Sequence, residues 1–269
     1  MSKKKKEAVR IATFNVNSVR SRMPILERWL TDAQVDLLFL QETKAVDADF
    51  PVDAFKAMGY DAYFCGEKSY NGVAVITRVP VEVRFGFGDS KEPEFHTRVA
   101  YARTTGGPAP ISILNTYVPQ GKEITHPDYE VKKSFLERVR AFFDREVKPD
   151  ALFAWVGDIN VAPTDIDVTS PRNKRDHVCF HNEIREKFDW VVSWGLHDVL
   201  RRFHPEAGQF TFFDYRVKDA LSRNIGWRVD HVLATGALTT KAVDCYVDRL
   251  PRGWERPSDH TPLVADFEV

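Results

Sequence analysis

Several short apolar runs in this chain stop abruptly at a carboxylate or an amide, and this pattern restricts its possible folds more than any other feature. Residues 9–16 alternate apolar and polar and end in Asn15 and Asn17. Residues 36–40 run into Gln41-Glu42, and residues 151–156 run into Gly157-Asp158-Ile159-Asn160. Asp230 heads the run 229–234, and Ser258-Asp259-His260 precedes the run 263–267. A charge beside a buried apolar segment is costly unless it is paired or bound to a metal. One such residue reads as a turn cap. Five sites at strand ends imply convergence on one pocket at one end of a sheet assembly.

The remaining periodicities fill in the layers. Residues 23–33 have helical spacing, with Leu26, Trp29 and Leu30 on one face. Residues 130–147 place Phe135, Val139, Phe142 and Phe143 on a second buried stripe, and residues 183–194 read as a third helix. Further strands are expected over 73–77, 81–87, 99–103, 111–118 and 242–247, with Gly106, Gly107 and Pro108 forming a turn. Strands and helices mixed in this order point to a layered α/β protein with helices outside sheets, not to strict βαβ alternation. No linker interrupts the chain, so residues 9–269 read as one domain and residues 1–8 as a basic tail.

Charge and cysteine content exclude several classes. A net charge of −1 is not that of a nonspecific nucleic-acid coat, but catalytic carboxylates cancel a local basic face in the sum. Basic clusters occur at Lys3 to Lys6, at 172–175, at Arg201-Arg202 and at Arg249, Arg252 and Arg256; each also reads as a solvated surface. Cys65, Cys179 and Cys245 are far apart and lack metal-ligand spacing, which suits a reducing cytoplasm rather than a disulfide framework. No apolar run is long enough to span a bilayer, and the N-terminal lysine run lacks the apolar stretch of a secretory signal.

The parts list fits one kind of chemistry. An all-oxygen ligand set favours a hard cation, Mg²⁺ or Mn²⁺. Attack on a phosphodiester needs a deprotonated water and neutralised non-bridging oxygens. A metal and a protonated histidine supply positive charge, a carboxylate takes the proton, and amides and a tyrosine position the phosphate.

Six motifs carry a closer resemblance. Phe14-Asn15-Val16-Asn17, Leu40-Gln41-Glu42-Thr43-Lys44, Asn115-Thr116-Tyr117-Val118-Pro119-Gln120-Gly121, Gly157-Asp158-Ile159-Asn160, Trp227-Arg228-Val229-Asp230-His231 and Ser258-Asp259-His260 occur in that order. Together they resemble the exonuclease III family of abasic-site endonucleases, over nearly the whole chain apart from the lysine tail. The resemblance implies a four-layer α/β sandwich, two facing mixed β-sheets flanked by helices, acting on double-stranded DNA with abasic sites or 3′ ends; a monomer is the default, because nothing in the sequence suggests an interface. It implies Glu42 as principal metal ligand with Asn15 and Asp259 near the metal, and Asp158 as the group that deprotonates water. Asn160 would hold that water or the phosphate oxygens, close enough that both it and Asp158 count as candidate metal ligands. His260 would contact the scissile phosphate with Asp230 behind it, and Tyr117 would touch the phosphate or assist the leaving oxygen. Asn17, Phe212, Trp227 and Asn224 would meet substrate, the two aromatics as walls of a sugar pocket. Lys44, Arg98 and Arg20 would order the site through ion pairs, and residues 121–129 would form a loop over it.

This chain departs from many relatives at Asn17-Ser18-Val19-Arg20 and at His96-Thr97-Arg98, neither of which touches the proposed chemistry. Phe210, Phe212, Phe213 and Tyr215 also read as one face of a strand, and His96, His126, His177, His181, His197, His204 and His231 as surface or packing residues. Other readings are a 3′-end processing nuclease, a phosphatase or lipid phosphodiesterase of the same superfamily, and a catalytically silent DNA-binding module.

Overall fold

In the computed structural model, which describes residues 8–106 and 109–269, β1 (Ala8–Asn15) is buried on both faces from Ile11 onwards. Ile11 packs into one apolar cluster, while Ala12 and Phe14 pack into another. β2 (Leu37–Gln41) divides in the same way, Leu37 and Phe39 to one side and Leu38 and Leu40 to the other. A strand with period two and apolar residues on both faces must lie in an inner layer.

Two six-stranded sheets result. The first has the order β11 (Ala242–Val247), β12 (Leu263–Glu268), β1, β2, β4 (Val73–Thr77), β3 (Asp61–Cys65). The second has the order β5 (Val81–Phe85), β6 (Val99–Thr104), β7 (Ser112–Tyr117), β8 (Phe153–Asp158), β10 (Asp230–Thr235), β9 (Leu196–Asp198). Each sheet is mixed: β1 with β2 and β7 with β8 are parallel, and the other pairs are antiparallel. The plan β1-β2-β4-β3 recurs as β7-β8-β10-β9, with α1 (Val19–Ala33) and α3 (Pro127–Glu146) as the two crossovers.

The cores follow the layers. Ile11, Phe39, Val75, Ile113, Val156 and Val232 meet between the sheets. Leu26, Trp29 and Leu30 of α1 cover the outside of the first sheet together with Phe55 of α2 (Val52–Ala57). Phe135, Val139, Phe142 and Phe143 of α3, with Ile184 and Phe188 of α4 (Asn182–Val192), cover Leu114, Trp155 and Leu233 of the second. The order helices, sheet, sheet, helices is the four-layer sandwich that the motifs implied. Full burial of each such side chain stabilises by about 1.5–3 kcal/mol. Where the sheets approach the later cleft, the packing turns polar: Gln41 donates to Thr13 and Asn115, and Asn115 donates to the Leu40 carbonyl.

Several boundaries differ from the sequence reading. α1 starts at Val19 rather than at residue 23, with Ser18 as its cap and Pro24 inside it. Its start is held by backbone bonds from Ser18 and Val19 to the Glu42 and Thr43 carbonyls, which sequence periodicity does not register. α3 begins at Pro127, a favoured first-turn residue, behind the His126 cap. α2, β9, α5 (Val199–Phe203) and α6 (Gly236–Thr239) carry too few residues to show a period, and β3 lacks a buried apolar run. The aromatic run 210–215 is not a strand; Phe212 makes isolated bridges to Trp227 and His260. Ala8, expected in the tail, opens β1, while the rest of that tail, Gly107 and Pro108 lie outside the described residues. Among the described residues no helix is long and apolar enough to cross a membrane.

Candidate active site

The strand plan itself gathers the polar residues. The parallel registers pair Asn15 with Gln41 and Tyr117 with Asp158, and the antiparallel register pairs Asp230 with Asp158. The ends of β1, β2, β7 and β8, the start of β10 and the segment before β12 therefore share one end of the sandwich. Gly157 makes the β7–β8 approach possible: its φ is 128°, and a Cβ there would lie 2.1 Å from the Thr116 carbonyl oxygen. Glu42 and Asn160 both take left-handed φ, 51° and 55°, where the chain turns out of its strand.

One amide links the two halves. Asn15 Nδ2 donates to Glu42 Oε1 and to Asp158 Oδ2, 2.9 Å each, so the first sheet's strand holds a carboxylate of the second. Asn15 Oδ1 accepts the Asn17 N–H at 3.0 Å. Asn15 thus presents its nitrogen to the acidic groups and bridges the two carboxylates. Lys44 Nζ lies 2.8 Å from Glu42 Oε2 and donates to Asn17 Oδ1 at 2.6 Å, and Asn17 Nδ2 donates to Asp259 at 3.0 Å. Burial pushes the Glu42 carboxyl up, but the hydrogen bonds from Asn15 and Lys44 outweigh it and hold the group below its ordinary value.

On the other side, His260 Nδ1 donates to Asp230 Oδ2 at 2.8 Å, and its Nε2 lies 3.7 Å from Asp158 Oδ2. Burial alone would discharge this imidazole, yet Asp230 and Asp158 keep it protonated well beyond the usual histidine range. Asp158 is raised, first by burial, with Asp230 and Glu42 adding to the rise against the pull of His260. Its Oδ1 accepts the Asn160 N–H at 3.1 Å. Tyr117 is pushed up by burial and by Glu42 and Asp158, so its phenol remains a donor. Arg98 lies over the Tyr117 ring at 4.5 Å and donates to its carbonyl at 3.1 Å.

These groups open onto a cleft of about 490 Å³. Glu42, Tyr117, Asp158, Asn160, Asp259 and His260 line it, as do Phe212 and Trp227, whereas Asp230 sits behind His260. The Phe212 ring meets the His260 ring edge-on at 5.0 Å. Asn160 turns its Nδ2 to the Val118 carbonyl at 3.0 Å. Gly121, Lys122 and Asp128, from the expected loop over the site, line an adjoining hollow with Tyr117 and Arg98. Asn224 is exposed outside the cleft, with a left-handed φ of 50° and a bond to the Gly208 carbonyl. Arg20 does not order the site: it is exposed and pairs with Asp49 at 3.4 Å. The cation that pairs with Glu42 is Lys44.

Sequence reasoning missed the far wall. Lys174, His177, Cys179, Asp214 and Arg216 also line the cleft. His177, expected as a bland residue, packs against the Trp227 ring at 4.5 Å. Lys132 is wholly buried beneath the cleft, where it donates to the carbonyls of Gln120, Asn160 and Val178. A lysine inside an apolar helix stripe was the one visible signal of this floor. His231 is a packing residue as expected, held between Arg228 and the Val161 carbonyl.

Asp158, Asp230 and His260 come within 4.8 Å of one another, close enough for a metal cluster. One imidazolium between those two carboxylates offsets a single charge. Glu42 and Asp259, which line the cleft beside Asp158, offer further carboxylate oxygens of the kind a hard cation takes.

Comparison with known proteins places the chain in a family. Residues 12–260 match the family described as endonuclease/exonuclease/phosphatase. The chain is 30% identical to exodeoxyribonuclease III of Haemophilus influenzae over 97% of this chain and 100% of that protein. It is similar to an AP endonuclease from Archaeoglobus fulgidus (TM-score 0.92, 44% identity, 97% of this chain and 100% of that one). It is also similar to a 3′ phosphatase from Neisseria bound to a product DNA hairpin (TM-score 0.86, 34% identity, 97% and 100% of the chains). With its fold, its acidic and histidine cluster and these likenesses spanning nearly its whole length, the chain belongs to the endonuclease/exonuclease/phosphatase family, in its exodeoxyribonuclease III and abasic-site endonuclease branch.

Proposed function

We propose that this enzyme is a Mg²⁺-dependent repair phosphodiesterase that cuts double-stranded DNA on the 5′ side of abasic sites, and that the same site trims or dephosphorylates 3′ ends. The observation that carries the reading is Asp158, tied to Glu42 through Asn15 and facing a charged His260 in an aromatic-walled cleft. Asp158, raised by burial, takes a proton from water at neutral pH. The Asn160 N–H fixes the orientation of that carboxylate. His260, held by Asp230, presents its Nε2 proton to the scissile phosphate and offsets the charge that grows there. Tyr117 donates from its phenol to a phosphate oxygen or to the leaving oxygen. Glu42 and Asp259 would hold Mg²⁺, or Mn²⁺ in its place, and the bound ion would add positive charge against the phosphate oxygens. Phe212 and Trp227 wall the space for the sugar of the extruded nucleotide. The likeness to proteins described as an AP endonuclease and a DNA-bound 3′ phosphatase supports DNA as substrate. The free thiols Cys65, Cys179 and Cys245 support work in a reducing cytoplasm, and we take the active form to be a monomer.

The test is a duplex carrying one tetrahydrofuran abasic analogue, incubated with Mg²⁺ and with EDTA. The analogue cannot undergo β-elimination, so a metal-dependent nick 5′ to it is the expected result. An intact strand beside a digested or dephosphorylated 3′ end would restrict the activity to 3′-end processing. No change at either place would leave a superfamily phosphatase or a silent module.

A further inference from the structure

The floor of the cleft holds a charge where the helix pattern calls for an apolar side chain. On α3, Lys132 falls on the same buried stripe as Phe135, Leu136 and Val139. Gly121 makes room for its stem: a Cβ there would lie 3.3 Å from Lys132 Cδ. Lys132 Nζ donates to the carbonyls of Asn160 and Val178 at 2.7 Å each and of Gln120 at 3.1 Å, with Cys179 Sγ at 3.9 Å. Three acceptors take all three protons of an ammonium group; a neutral amine would serve only two of them. All of these partners are neutral, so no anion is among the hydrogen-bond partners of a wholly buried cation. An apolar side chain of the same length would serve packing as well or better, because it carries no desolvation penalty.

The three carbonyls belong to three segments far apart in the chain, and each segment reaches the cleft, through Gln120, Asn160 and Cys179. Asn160 depends most on the anchor. Its φ is 55°, in the left-handed region that a residue with a side chain seldom adopts. Its N–H points at Asp158 Oδ1 at 3.1 Å, its Nδ2 at the Val118 carbonyl at 3.0 Å, and its own carbonyl at Lys132. Without the ammonium the turn can relax towards the extended region, which swings the N–H off the carboxylate. We propose that Lys132 is a positioning residue for the cleavage step: it ties the Asn160 turn to the Gln120 and Val178 segments and, through the Asn160 N–H, sets the direction of the Asp158 carboxylate. This rests on the reading of Asp158 as the base.

The experiment measures kcat and KM with Mg²⁺ on the tetrahydrofuran duplex for wild type, Lys132→Met, Asp158→Asn and the double variant. Methionine keeps the unbranched stem and removes all three donors. Lys132→Gln, which keeps a donor, takes its place if melting shows that the methionine variant does not fold. Lys132→Met is expected to lower kcat about 10–100-fold while KM changes by less than about threefold, as misdirection of a reacting group does. In the Asp158→Asn background the same substitution is expected to lower kcat by less than about twofold, because residues that act as one unit do not add. Losses that multiply would mean that Lys132 acts apart from Asp158, and a change confined to KM would mean that it shapes binding; either overturns the proposal. So does an unchanged kcat, or failure of both lysine variants to fold. The nuclease reading survives each of these results. Near-normal turnover of Asp158→Asn would remove the base and the positioning role together, and a wild type that cuts neither the tetrahydrofuran strand nor a 3′ end would remove the nuclease reading as well.

Discussion

At Asp158, burial pushes the proton affinity up, His260 pulls it back, and Asp230 and Glu42 push again. Asp158→Asn keeps the shape and the Asn15 contact region but can no longer accept a proton. We expect a loss of about 10²–10⁴-fold in kcat on a tetrahydrofuran duplex with the melting temperature little changed; near-normal turnover would remove Asp158 from the role of base. Glu42 faces a different demand, since it offers oxygens between Asn15 and Lys44. Glu42→Ala should raise the Mg²⁺ concentration needed for half-maximal rate by at least about tenfold, and an unchanged metal titration would exclude it as principal ligand. The strand-end carboxylates were legible in the sequence because charge abutting an apolar run is improbable without a partner. Lys174 and His177 were not, because they reach the cleft by the path of a loop and no local pattern encodes that path.

Between β8 and β10 the chain carries a buried ion network that supports the cleft wall from behind. Arg228, fully buried, donates to Asp167 at 2.6 Å and to Asp198 at 2.7 Å, and Arg201 also pairs with Asp167. Arg228 lies between Trp227 and Asp230, so this network fixes both a wall residue and the partner of His260. Burial would raise the Asp167 carboxyl, but Arg228 and Arg201 hold it far below the usual carboxylate range. Asp167→Ala leaves buried positive charge behind, and removing one partner of such a pair costs about 3–5 kcal/mol. The expected drop in melting temperature is roughly 6–20 °C, with weakened cleavage. A variant as stable as wild type would show that Asp198 alone satisfies Arg228. The long helices and the apolar strands were legible, whereas β3 and the three-residue β9 were not. β3 is an edge strand with exposed and half-buried positions, so it lacks the apolar run that marks β2 and β4.

Over the whole molecule, buried neutral histidines couple stability to acid. His231 is pushed down from 6.5 to about 4 by burial and by Arg228. The unfolded chain binds that proton at higher pH than the folded one, so stability is full above pH 6.5 and is lost as pH falls towards 4. The full shift corresponds to roughly 3 kcal/mol. We expect the fall in melting temperature between pH 7 and pH 5 to be smaller in His231→Gln than in wild type; equal falls would mean that other groups carry the acid sensitivity. We also take residues 9–269 to be one cooperative unit, since both sheets share the core that contains Ile11 and Val156. Calorimetry should then show one transition. The architecture was legible because the six motifs span it, while the repeated strand plan was not, since it is a likeness of topology and leaves no repeat in the letters.

The order in which the strands enter the sheets sets the life history of the protein. The second sheet is built entirely from residues between β4 and β11, and β12, the last strand in chain order, closes onto β1, pairing Glu268 with Ala8. Asp259 and His260 arrive just ahead of that closing strand. Pairings so distant along the chain form late and slowly. A copy clipped by a protease before Ser258 therefore loses Asp259, His260 and the strand that pairs with β1 in a single cut.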